Sequence, residues 1–261
     1  MKNNFFIFCF ICIFFFNSAY AELFKFETSE LKLLDNGNII DAKNGKATSL
    51  DNDIEIDAKK FIYQNNTKIL KAYDGVALIK SDSIKIKFKY FEIDQENNII
   101  LTKNYTKISD LKRNLSLETS DISFNRKLKI IESKDKSILK DNNNNLIDME
   151  YFYYEINENI LKAKDLVFKD KENNISNIKL AFINTKTGKL LGKDIRIDLN
   201  NKSFNKGNDP RLLGKKLVYD DDNETSEISK GIFTTCKKSD KCPPWQISAE
   251  KIKHDKKKKN D

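Results

Sequence analysis

Cys236 and Cys242, with five residues between them, and the single histidine, His254, are the side chains of the C-terminal segment best equipped for covalent or metal chemistry. In an oxidising compartment two such thiols are expected to end in disulfides, although the spacing leaves open whether each is the other's partner. A structural zinc ion needs four ligands, so two cysteines and one histidine leave the set incomplete and no metal is expected. Hydrolytic and phosphoryl-transfer chemistry finds no foothold either. The chain has no Gly-x-Ser-x-Gly elbow and no Gly-rich phosphate loop after a strand, and its carboxylates are scattered, most of them in turns. The expectation is a protein that binds rather than one that catalyses, with no cofactor.

The elements that would do the binding follow from a thirty-residue period. Ile56, Ala58, Phe61 and Tyr63 lead through a polar turn into Ile69, Leu70 and Ala72. Thirty residues on stand Ile86, Phe88, Phe91 and Ile93, then Ile99, Ile100 and Thr102. Leu117, Thr119, Ile122 and Phe124 precede Ile130 and Ile131; Ile147, Met149, Phe152 and Tyr154 precede Ile160, Leu161 and Ala163; a weaker copy places Phe182 before Leu190 and Leu191. Alternation of period two with Asn/Asp/Gly/Lys punctuation makes each repeat two short strands and two turns, an all-β array. Only Phe24 to Leu34 also has helical spacing, and it fits either a helix or an N-terminal strand.

Within each repeat the apolar parity changes: Ile54, Ile56 and Ala58 share one parity, Phe61 and Tyr63 the other. Successive side chains alternate faces, so keeping one buried face through a parity change requires a bend at that point. Stacked bent strands make a folded-over sheet, a jelly roll or solenoid whose inner face runs on from repeat to repeat. Phe61, Phe88, Phe91, Ile122, Phe124, Phe152 and Phe182 are the candidates for that inner face, either as core or as the wall of an apolar groove. Both ends of such an array present unpaired backbone, which invites another strand unless it is blocked.

The 261 residues carry a formal net charge of +8, with 33% charged residues. Lysines alternate with apolar residues, as in Ile84-Lys85-Ile86-Lys87-Phe88, which is the pattern of a solvated face. A nucleic-acid interface would cluster them, and no nucleic-acid partner is expected. Lys2, the apolar run Phe5 to Phe16 and Ala19-Tyr20-Ala21 have the layout of a secretory signal peptide at residues 1–21, and the apolar run is short for a membrane span. Export follows, with residues 22–235 as the β array and 236–261 as a junction segment.

The passage into that junction reads Thr234-Thr235-Cys236, then Cys242-Pro243-Pro244-Trp245-Gln246-Ile247-Ser248-Ala249, then Ile252-Lys253-His254-Asp255. Together with the repeats it resembles the periplasmic part of the LptD family of lipopolysaccharide-assembly proteins, also called organic solvent tolerance proteins, which carry an OstA-like domain. Pro243, Trp245, Gln246, His254 and Asp255 are the motif positions. The resemblance implies an OstA-like β-jelly-roll at the periplasmic side of the outer membrane that binds lipid A acyl chains non-covalently. It implies three partners: lipopolysaccharide, a periplasmic OstA-like bridge protein docked edge to edge, and the outer-membrane lipoprotein of the assembly complex if a barrel is present. Family members continue into a membrane barrel, and no barrel-like tract follows here. The expectation is a truncated product or a barrel-less relative. Studied members pair cysteines of this domain with barrel cysteines; without a barrel, Cys236 with Cys242 is the one intramolecular option. The competing readings are a free-standing bridge protein of the LptA type and a repetitive β surface protein or adhesin.

Overall fold

The computed structural model describes residues 24–112, 114–140, 146–169, 173–200, 207–220, 223, 225–239 and 245–255. They build one antiparallel sheet of 18 strands. Six long strands come first: β1 (Phe24–Leu34), β2 (Ile39–Ser49), β3 (Ile54–Gln64), β4 (Ile69–Ile79), β5 (Ile84–Asp94) and β6 (Ile99–Asp110). The middle of the array is made of strands broken in two: β7 (Leu115–Thr119) with β8 (Ile122–Asn125), β9 (Ile130–Ser133) with β10 (Ser137–Lys140), and β11 (Leu146–Met149) with β12 (Tyr151–Glu155). Six long strands complete it: β13 (Ile160–Lys169), β14 (Ile175–Asn184), β15 (Leu190–Asp198), β16 (Arg211–Asp220), β17 (Thr225–Thr234) and β18 (Ile247–Asp255). The Phe24 to Leu34 segment is therefore a strand. It pairs with β2 from Phe24 opposite Ser49 to Leu34 opposite Ile39.

The thirty-residue period is two 11-residue strands and two four-residue turns, as in β3 and β4 with turns 65–68 and 80–83. The expected bend is present in each long strand. In β3 the buried side chains are Ile54, Ile56 and Ala58 on one side of it and Phe61 and Tyr63 on the other. Alternate strands take the bend through a residue with positive φ: Asn44 (48°), Asp74 (50°) and Asn104 (71°), thirty residues apart, then Asp165, Asp194 and Lys230. Asn and Asp tolerate this left-handed region better than other side chains that carry a Cβ, which explains why they recur. Gly45 and Gly75 follow two of these bends because the chains approach closely there. A Cβ on Gly75 would lie 2.2 Å from the Asp57 carbonyl oxygen, and one on Gly45 2.2 Å from that of Glu27.

The bends fold the sheet over, so that the first halves of the strands face the second halves. Phe26 of one half meets Phe61 of the other edge-on at 5.9 Å, and Phe24 meets Tyr63 at 6.0 Å. Between the halves, large and small residues alternate across the strands. Ala42 pairs with Phe61, Phe61 with Ala72, Ala72 with Phe91, and Phe91 with Thr102. Each ring fills the space left by its small neighbours, which gives a close-packed interior at this end.

The turns stack as well, one row along each border of the open side. Backbone bonds run from Lys80 N–H to the Asp53 carbonyl and from Leu111 N–H to that of Ser83 along one border. Gln95 N–H to Lys68, Arg126 N–H to Asn98, Ile156 N–H to Lys129 and Thr185 N–H to Asn159 continue the other. Among the described residues β1 pairs only with β2 and β18 only with β17, so the array has two open edges.

Candidate functional site: a cavity inside the folded sheet

Midway along the array the two half-sheets part around a cavity of about 240 Å³. One wall is made by Ile84, Ile108, Leu117 and Leu139 of β5, β6, β7 and β10, the other by Ile131, Phe152, Tyr154 and Leu161 of β9, β12 and β13. The registers explain this arrangement. Ile108 opposes Leu117 and Leu117 opposes Leu139, while Ile131 opposes Tyr154 and Tyr154 opposes Leu161, so each wall is one continuous inward row. The Ala/large alternation that fills the N-terminal interior has lapsed on the first wall, where every member is a branched aliphatic. Phe152 remains between Ser133 and Ala163, and Ala163 is followed by Ala181 and Gly192, a run of small residues on the far side of the cavity.

The rim is polar. Asp82, Asp110 and Lys112 border the cavity on one side and Thr185 on the other. Lys129 Nζ reaches both Asp82 oxygens at 2.9 and 3.0 Å, Lys112 donates to the Ser81 carbonyl at 3.4 Å, and the Tyr154 and Thr185 hydroxyls are 3.1 Å apart. Beside the cavity the broken strands are tied at their bends by buried hydroxyls. Thr106 donates to Thr102 at 2.8 Å, Thr119 lies 3.1 Å from Ser133, and Ser137 donates to Thr119 at 3.0 Å. These bonds give the three buried hydroxyl pairs partners within the interior. Dry walls with cations and carboxylates confined to the rim suit a molecule with an apolar tail and a charged head.

Of the aromatic and aliphatic residues picked out by the repeats, Phe61, Phe88, Phe91, Ile122, Phe124 and Phe152 all point inward and are at most 3% exposed. Phe152 alone among them lines the cavity; the other five belong to the packed interior around it. Phe182 corrects the reading. It lies on the outer face, 39% exposed, with Lys162 Nζ 5.8 Å from its ring centre. The inward residue at that level is Ala181, which opposes Ala163. The step from Phe152 to Ala181 is one residue shorter than the regular thirty, and one residue reverses the face of a strand position. Leu117, Ile131, Met149 and Leu161, members of the repeat pattern, also line the cavity, as does Leu139, which lies outside that pattern.

The C-terminal motif forms a separate cluster. Cys236 is a free, buried thiol; Cys242, its expected disulfide partner, and Pro243 lie outside the described residues. Thr234 Oγ1 donates to the Trp245 carbonyl at 2.8 Å and accepts from Cys236 N–H at 3.2 Å, and the Cys236 thiol faces the same carbonyl at 3.6 Å. Trp245 packs edge-on against Phe233 at 6.0 Å, and Gln246 leads into β18. His254 and Asp255 occupy the end of that strand, paired with Ser226 and Thr225. Among the described residues no group of His, Cys, Asp and Glu could hold a metal ion, and no helix is long and apolar enough to cross a membrane.

Comparison with protein-family models gave no match for this chain, and comparison with curated proteins gave none either.

Proposed function

We propose that this chain is a lipid-carrying β array: it binds acyl chains of lipopolysaccharide without covalent chemistry and passes them along its interior toward the outer membrane, as the OstA-like part of an LptD-type assembly protein. The cavity between the half-sheets carries this reading. Its volume of about 240 Å³ holds part of an acyl chain rather than a whole lipid, which fits a molecule handed along an array. Each methylene moved from water to those walls contributes ~0.8 kcal/mol. Lys112 and Lys129 at the rim stand where a phosphorylated head group would emerge.

The two open edges favour a relay, either within that assembly or as a free-standing bridge of the LptA type. At the β1 edge, Leu31 and Leu33 continue the inward row through Ala42 and Ile40, yet they are 48% and 61% exposed. At the β18 edge Ile247, opposite Phe233, is 58% exposed. An apolar interior that runs out to both edges is suited to joining the interior of a similar array by strand pairing.

The test is photocrosslinking of lipopolysaccharide to a probe amino acid at Phe152 or Met149 on the cavity, with the outward Lys87 as control. Crosslinks at the cavity positions alone support the proposal. Their absence in folded protein overturns it and returns the cavity to a packing defect.

A further inference from the structure

Two ion pairs cross the open side of the folded sheet, and both start from the same turn. Arg126 and Lys129 begin and end turn 126–129 on one border. Arg126 Nη2 lies 2.7 Å from Asp53 Oδ2 and Lys129 Nζ 2.9 Å from Asp82 Oδ2, both on the opposite border. The pairs join residues 73 and 47 positions apart. They are the described ion pairs in which both side chains are no more than 30% exposed, at 20 and 16% and at 30 and 16%.

The acceptors are positioned independently of the cations. Asp53 Oδ1 accepts the Ser81 backbone N–H at 2.8 Å, so its second oxygen is already held toward the gap when Arg126 arrives. Arg126 Nε, by contrast, is buried without a partner. Partly buried pairs of this kind sit near balance between desolvation and attraction, and so separate at modest cost. Three equivalent turns on the same border lack the pair of cations: 65–68 reads Asn-Asn-Thr-Lys, 95–98 Gln-Glu-Asn-Asn, and 156–159 Ile-Asn-Glu-Asn; turn 185–189 carries Lys186 and Lys189, but Lys189 pairs with Asp220 at 3.3 Å. At turn 156–159 Ile156 lines the cavity. Asp82 is both a latch acceptor and a rim residue of that cavity.

We propose that turn 126–129 is a latch across the open side of the array, governing lateral entry of an apolar chain into the interior. Engaged, it holds the two rows of turns together on the N-terminal side of the cavity. Released, it joins the cavity to the gap between the rows and lets a chain enter from the side rather than only from an edge. This goes beyond the lipid reading and does not depend on which amphiphile is the natural one.

The test uses the full chain with its four cysteines replaced by alanine and spin labels at Leu50→Cys and Leu128→Cys, exposed tips of the two borders. Lys129→Asp, and more mildly Lys129→Gln, should lengthen and broaden the distance between labels. Asp82→Lys combined with Lys129→Asp should restore it. In parallel, entry of the apolar dye N-phenyl-1-naphthylamine, followed by its fluorescence, should become about tenfold faster in the single variants and return to the starting rate in the swapped pair. An unchanged label distance in a single variant that keeps its β circular dichroism overturns the latch. A changed distance with unchanged dye entry overturns its role as a gate. Neither result bears on the crosslinking experiment, so failure of the latch and failure of the lipid reading are separable.

Discussion

Phe26 and Phe61 belong to opposite halves of the folded sheet, and their rings meet edge-on across the interior at 5.9 Å and 75°. The contact makes Phe61 a support for the fold itself. Truncating a buried aromatic typically costs ~3–5 kcal/mol. Phe61→Ala should fall in that range by urea denaturation, whereas Phe182→Ala, on the outer face, should cost less than ~1 kcal/mol. Equal losses at the two positions would contradict the assignment of faces.

Gly75 sits just after the Asp74 bend, where an added methyl group meets the Asp57 carbonyl at 2.2 Å and the Ala58 side chain at 2.7 Å. Backbone on one side leaves no flexible neighbour to yield. Gly75→Ala should therefore destabilise the chain by ~1–3 kcal/mol, read as a lowered urea midpoint at unchanged slope.

Lys230 takes the left-handed conformation, φ 50°, at a bend where earlier strands use Asn44 and Asp74. An ordinary side chain is held there at a cost of ~1–2 kcal/mol. Lys230→Asn or Lys230→Gly should recover up to ~1 kcal/mol, seen as a raised thermal midpoint. A loss of stability would show that the lysine makes a contact worth more than the relief.

Asp51 caps the turn between β2 and β3. The Ser49 hydroxyl bonds its carboxylate, and the Asp53 N–H donates to the same oxygen at 3.1 Å. The Ser49 bond first, then the backbone bond, hold its pKa below the ordinary carboxylate value near 3.8. A carboxyl depressed in the folded state adds stability that is complete above the unfolded value and is lost as pH falls through the folded one. Urea midpoints of the parent should thus drop below about pH 4 more steeply than those of Asp51→Asn. Parallel curves would remove Asp51 from the acid response.

The bends were legible because a parity change such as Ala58 to Phe61 has one physical remedy on a half-buried strand. The strand identity of Phe24 to Leu34 was not legible. The bend in β1 breaks the alternation between Phe26 and Leu31, and the remainder has the spacing of a helix. Phe182 was misplaced because the period tightens by one residue in β14, and a repeat count has no means of detecting that. The cavity was hidden for a different reason. Whether Leu117 fills space or borders it depends on what the opposite half presents, and Tyr154 and Leu161 reach it only through the fold. The pair Arg126 and Asp53 depends on the same closure, over a separation that no local pattern spans.

The rows of stacked turns have a consequence for how the molecule is measured out. Among the described residues, turn after turn bonds to the one a repeat earlier and none pairs the two ends of the array, so its length is counted in repeats rather than set by a closed shell. Tyr63 and Ile93 hold the same place in successive units, opposite Leu70 and Ile100. Excision of residues 65–94 would pass β3 directly to the turn before β6 in matching register. The reach of the interior from one open edge to the other is thus an additive quantity, which gene duplication or deletion of a single unit can lengthen or shorten without redesigning the rest.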